Sequence, residues 1–173
     1  MSDITKDERI EVLRRRAANV NHADLIWEEF EITPNHEFHT SPWLPEHKDI
    51  VDEFCSIYMT DAQLYAHERG SKIVAAQSRG LTWMKKGKIR ADTQTLFWAI
   101  PCICDLAQSP VIERGHIGVR EGFPVSWRTP VFLPLNTELR LIQGDICFIV
   151  VEFELEAPQS NTQMSLLPEV DGT

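Results

Sequence analysis

Ile10, Val12, Leu13 and Ala17 recur at helical spacing behind Thr5 and Glu8. A Thr with a Glu three residues later is the signature of a capping box, so the pattern predicts a first helix of about four turns. Arg14, Arg15 and Arg16 fall in its second half, where cations suit the negative end of the helix dipole. Residues 25–32 alternate imperfectly between apolar and acidic side chains and predict a strand. Pro34, Pro42 and Pro45 then make residues 33–47 mostly loop. Helical spacing returns with Ile50, Val51, Phe54, Ile57 and Tyr58, predicting a second helix over residues 46–59. Thr60 and Gln63 repeat the capping-box spacing, so a third helix is expected to start there and run to Arg69, with Gly70 as its stop.

The second half has a different texture. Residues 73–76 form a short apolar run of undecided type, followed by the most basic stretch of the chain, residues 78–90. Residues 93–106 are apolar almost throughout and belong to the core. From Ile112 onward Gly and Pro punctuate runs rich in Val, Ile, Phe and Trp, and residues 125–127, 131–135, 139–142 and 146–155 read as strands, the last long enough to lie centrally. The expected class is α+β: N-terminal helices, then a mainly antiparallel sheet over residues 1–156, with a flexible C-terminal tail over residues 157–173.

Composition narrows the classes. At 173 residues, 43% hydrophobic and with a net charge of -9, the chain has the make-up of one soluble domain and is too short for a multidomain machine. It holds no apolar run long enough for a membrane span, and its first sixteen residues have no signal-peptide core, which points to the cytoplasm and to no membrane partner. Four cysteines at these spacings, Cys102 and Cys104 one residue apart, do not make a secreted disulfide framework; reduced, mostly buried thiols are expected. The acidic balance argues against a protein that coats duplex DNA with its whole surface.

Within the polar tail stands one apolar cluster, Gln163, Met164, Ser165, Leu166 and Leu167. It resembles the bacterial sliding-clamp-binding motif, in particular the clamp-binding peptide of the mismatch-repair protein MutS. The resemblance implies a sliding clamp as partner, with the Gln163 amide in a small polar pocket, Leu166 and Leu167 in an apolar one, and Met164 along the groove. About one chain of this length in a thousand would carry five such positions by chance. Residues 88–108 also resemble, more faintly, a pattern in phage recombination proteins of the lambda Orf type, through Gln94, Leu96, Trp98 and Asp105. The Asn-Arg that usually follows that Gln is absent here.

Other clusters carry candidate chemistry. Arg79, Lys85, Lys86, Lys88 and Arg90 lie in a stretch without a single acid, interleaved with Trp83. Cations neutralise phosphates and an indole stacks on a base, so the stretch is a candidate contact for single-stranded nucleic acid; the plainer reading is a solvated hairpin turning at Gly80 and Gly87. His36, His39 and His47, near Glu37, Glu46 and Asp49, are a candidate metal or acid–base group, although their spacing matches no known zinc motif. Cys102 and Cys104 could share a strand face as thiolate ligands, and His116 could pair with Asp105 or Glu113. Glu152, Glu154 and Glu156 alternate with Val151, Phe153 and Leu155 as the wet face of a one-sided strand would. No phosphate loop, dinucleotide fingerprint or nucleophile turn is present, so no catalytic residue and no cofactor is assigned.

Together these readings predict an accessory protein of bacterial or phage DNA replication, recombination or repair, recruited to the clamp by its tail. The alternatives are a metal-dependent nuclease or hydrolase and an acidic phage- or plasmid-type inhibitor of a host nucleic-acid enzyme.

Overall fold

The computed structural model describes residues 5–19, 25–102 and 109–156, apart from the side chain of Arg79. In chain order they form helix α1 (Lys6–Ala18), strands β1 (Glu28–Ile32) and β2 (Glu37–Thr40), helix α2 (Pro45–His67) and strands β3 (Ile73–Ala91) and β4 (Thr95–Cys102). Five more strands follow: β5 (Val111–His116), β6 (Phe123–Pro124), β7 (Val131–Leu133), β8 (Thr137–Gln143) and β9 (Ile146–Leu155). Every strand pairing is antiparallel. This is the expected α+β chain, with two helices in place of three.

The capping box of α1 forms as expected: the Thr5 amide donates to Glu8 Oε2 at 2.8 Å and the Glu8 amide to Thr5 Oγ1 at 3.3 Å. The second one does not. Thr60 lies inside α2, whose buried positions Ile50, Phe54, Ile57, Ala62 and Ala66 run past it without a break. A Thr and a Gln three apart cap a helix only where the backbone already leaves helical geometry, and no Gly or Pro between Glu46 and Arg69 makes it do so. Gly70 does end the helix: at φ +66° its amide bonds His67 O at 2.9 Å while Ser71 bonds Ala66 O at 3.0 Å, the paired bonds of a Schellman motif.

Residues 33–47 are not mostly loop. Pro34 and Pro42 flank β2, which pairs with β1 on one side and with β3 on the other, and Pro45 opens α2. Nor does the basic stretch turn. Strand β3 runs straight through it, and its two glycines are points of close approach: a Cβ on Gly80 would meet Ser41 O at 2.5 Å, and one on Gly87, at φ +122°, would meet His36 at 2.5 Å. The strand expected over residues 125–127 is replaced by the shorter β6, and Val125 keeps a single bond to Ile112 O. Pro124 and Pro130, which have no amide to donate, bracket that segment.

Strand β3 belongs to two sheets. Along one edge Ile73 to Met84 pair with β9 and Gly87 to Ala91 with β8. Strand β9 continues into β4 and β7, making the first sheet, and β8 continues into β5 and β6, making the second. Two cores result. One lies between the helices and the first sheet, around Leu13, Phe54, Trp98, Ile149, Val151 and Phe153. The other lies between the sheets, around Met84, Ile112, Leu139, Ile146 and Phe148. Strand β9 serves both, so it is apolar at nearly every position. For the same reason Glu152 is not on a wet face: at 5% exposure it is buried and accepts a 2.8 Å bond from Gln77 Nε2, while Glu154 alone of the strand is exposed.

Cys55 and Cys102 are free, and burial pushes the Cys102 thiol up to about 12. Cys147 is disulfide-bonded, which corrects the expectation of reduced thiols. Among the described residues no helix is long and apolar enough to cross a membrane.

The continuity of α2 is testable at Asp61. Were Thr60 an N-cap, proline at the next position would be tolerated. In a continuous helix Asp61→Pro removes a hydrogen bond and costs about 3 kcal/mol, read as a drop in the urea midpoint with little change in slope.

Candidate functional site

The basic stretch is sorted by the strand that carries it. Side chains alternate faces along a strand, and Gly87 resets the alternation: Met84 before it and Ala91 after it both enter the core between the sheets. Trp83 and Lys85 therefore share the helix-side face. The indole is half-buried against Trp27 and His39, at 5.4 and 5.6 Å, and its N–H donates to Asp145 Oδ2 at 2.7 Å. Lys85 stands 4.3 Å over the Trp83 ring and 3.3 Å from Glu37, which the hydrogen bonds from His39 and Lys85 hold below the usual carboxylate range. Lys86 donates to Pro34 O. Lys88 and Arg90 turn to a different partner, Glu138. The side chain of Arg79 lies outside the described residues.

Glu138 is 3% exposed and has three cations around it: Arg90 Nε at 3.1 Å, Lys88 Nζ at 3.3 Å and Arg140 Nε at 3.2 Å. Burial raises its pKa, and the bonds and charges of Arg90 and Lys88 outweigh that and hold it below the usual range. Arg140 also donates to the carbonyls of Val119, Arg120 and Glu121, at 2.6–3.2 Å, and so ties down the connection from β5 to β6. The sequence hides this centre, because its carboxylate comes from a strand some fifty residues beyond Lys88 and Arg90. The alternation of Glu138 and Arg140 in β8, opposite Arg90 and Lys88 in β3, is the signal that would have found it.

Beyond Lys86, β3 no longer pairs with β2. There a cavity of ≈ 280 Å³ opens against Lys88, Ile89 and Arg90. Phe97, Phe148, Val150 and Glu152 of the first sheet line it on one side, and Phe30, Glu31 and Phe38 of the β1–β2 pair, with His36 of the turn between them, on another. His36 Nδ1 is 3.1 Å from Glu31 and its ring is 6.0 Å from that of Phe38. Lys88, Arg90 and His36 were singled out in the sequence, and Glu152 only as part of a strand's wet face; Phe30, Glu138 and Phe148 were not.

The three histidines do not converge. His36 pairs with Glu31 and His39 with Glu37 at 3.2 Å, while His47 is buried at the start of α2, where its Nδ1 accepts from the Leu44 amide at 3.2 Å. Among the described residues no three His, Cys, Asp or Glu side chains are placed to hold a metal ion. His116 is exposed at the end of β5. Cys104, Asp105 and the tail residues Gln163, Met164, Ser165, Leu166 and Leu167 lie outside the described residues. Leu96 and Trp98 are core residues of β4, and Gln94 sits in the turn before it.

No family model and no curated protein matches the sequence. Solved structures with partial likeness include a predicted oxalate decarboxylase from Thermotoga maritima, at 10% identity and TM-score 0.38, over 78% of this chain and 97% of that one. A protein of Photorhabdus luminescens scores 0.28 at 15% identity, over 46% of this chain and 73% of its own. Drosophila melanogaster CENP-C, solved bound to CAL1, scores 0.28 at 9% identity, over 86% of this chain and 94% of its own. All three scores are too low to carry an argument about fold or function.

The charge centre has a pH signature. A folded carboxyl held below its unfolded value of about 4.3 stabilises fully above that value and loses the contribution as pH falls through the folded one. Replacing Glu138→Gln is expected to cost about 1–2 kcal/mol at pH 7, a figure discounted for the partial exposure of Lys88 and Arg90. In denaturant melts the gap to the unaltered protein narrows below about pH 4.

Proposed function

We propose that the protein is an accessory factor of bacterial or phage DNA replication, recombination or repair, held at the sliding clamp by residues Gln163, Met164, Ser165, Leu166 and Leu167. The observation that carries this reading is the motif itself, an apolar cluster in a polar segment that has the clamp-ligand order of residues. The body supports it. Strand β9 is bonded on both edges and packed on both faces, and the Glu156 amide bonds Lys72 O at 2.8 Å, so the last described residue is tied to the body. Residues 157–162 then give a tether of about 20 Å, enough to seat a short peptide in a pocket on a ring. Because a peptide pays to be ordered, affinity for one site is about micromolar, and repeated sites on the ring add to it.

In this reading the body brings a second contact to the fork. The exposed Lys85, Lys86 and Arg90 of β3, with Trp83, Lys88 and Arg79 on the same strand, offer cations to single-stranded nucleic acid. The setting is the cytoplasm.

The test is surface plasmon resonance of the full chain over an immobilised bacterial clamp. Micromolar binding is expected, reduced at least about tenfold when Gln163, Leu166 and Leu167 are all changed to Ala, with the thermal melt unchanged. Equal binding by the triple variant, or none by the unaltered chain, sinks the reading.

A further inference from the structure

The outer edge of β1 goes beyond the clamp reading and does not depend on it. β1 is bonded to β2 along one edge, and among the described residues no strand takes the other. That edge holds out amides and carbonyls, the template to which a further strand adds. All five residues of β1 are exposed, so neither of its faces is covered. Phe30 is 61% exposed and Ile32 52%, with Ile26 at 72% just ahead of the strand. A single apolar side chain on a surface needs no explanation, whereas three so close together beside an open edge make a strip on which a partner can rest.

The register tells the two faces of β1 apart, because residues opposite each other in a ladder share a face. Glu28 and Glu31 stand opposite Thr40 and Phe38, on the side of the cavity, which Phe30 also lines. Glu29 and Ile32 stand opposite His39 and Glu37, on the side of Trp83. Each face therefore carries an apolar side chain and a carboxylate.

Charge selects the occupant. Glu31 has His36 at 3.1 Å, while no ion pair among the described residues engages Glu28 or Glu29. A second copy of β1 laid antiparallel about Phe30 would set Glu29 against Glu31 on both sides of the two-fold, and like charges directly opposite repel. Residues 157–173 carry Glu169 and Asp171 and no Lys or Arg, so the chain's own C-terminal segment lacks the matching charge. A phosphate backbone is repelled as well. The segment that fits is extended, with cations opposite the glutamates and apolar side chains opposite Phe30 and Ile32.

We propose that β1 docks an extended basic segment of another protein, which adds to its outer edge as a further strand and sets Lys or Arg against Glu28, Glu29 and Glu31.

Calorimetric titration of the full chain with a short blocked peptide, Val-Lys-Val-Lys-Lys between threonines, tests it. One-to-one saturation at about 10–100 μM is expected, since a short peptide loses freedom on being ordered. The chain is acidic overall, so simple attraction has to be told from strand addition. Two peptides of the same charge do this, each N-methylated at alternate residues, one set out of step with the other. The peptide methylated on its bonding edge binds at least about tenfold more weakly, and the other binds as the parent does. On the protein side, Glu28→Lys with Glu29→Lys weakens the parent peptide about tenfold or more and leaves the thermal melt unchanged. The proposal is overturned if nothing saturates, if the two methylated peptides bind alike, or if the charge-reversed variant keeps its affinity. Sedimentation of the full chain is expected to show monomers; a dimer that the peptide disperses would assign the edge to a second copy and overturn the choice of occupant. The Gln163/Leu166/Leu167 variant binds the peptide as the unaltered chain does, so this proposal and the clamp reading fail separately.

Discussion

Everything else in the body hangs on the pairing of β3 with the chain that runs from β8 into β9. Ile73 stands opposite Leu155 at one end and Ala91 opposite Thr137 at the other, so two strands form nearly one ladder along β3. The corner falls at Gly144, at φ +80° and with Pro110 against it, where a side chain would be strained and crowded. Each sheet grows outward from its own half of that ladder. Because side chains have a period of two, a slip of one residue would turn Phe148 and Phe153 onto each other's faces and send each core the set of side chains shaped for the other. It would also take Glu152 from Gln77, its hydrogen-bond partner across the ladder.

That also explains what the sequence could reveal. Residues whose role is set by near neighbours were legible: the cap at Thr5, the stop at Gly70, the whole span of β9. Features set from far away were not. Thr60 and Gln63 have the spacing of a cap, but packing of α2 on the first sheet keeps the helix going. Gly80 and Gly87 look like turns because glycine usually marks one, whereas Ser41 and His36 approach those positions and leave no space for a side chain. Glu152 alternates like a surface residue and is buried because a second sheet covers it. The short β5 and β6 have too few residues to show a period.

The candidate site follows the same division. An acid-free stretch from Arg79 to Arg90 invites a reading as a bare cationic strip, and the strand does gather those residues. The fold then supplies carboxylates from two other strands: Glu37 from β2 to Lys85, and Glu138 from β8 to Lys88 and Arg90. What remains is a graded surface in which each described cation already has a partner. The cavity arises from the same circumstance, since β2 lets go of β3 just where Gly87 reverses its faces. No single segment contains enough of its lining to announce it.

The long reach of β3 has a consequence for the order of events when the chain is made. Thr82 to Lys86 can pair early, with β2, but the N-terminal half of this 19-residue strand finds its mate only when β9 has emerged from the ribosome, so that half waits exposed through most of synthesis. Contacts so distant in sequence close slowly. The glycine bulges, the prolines around β2 and the charges on β3 then have a role during that wait as well as after it, since they make the waiting strand a poor template for another chain.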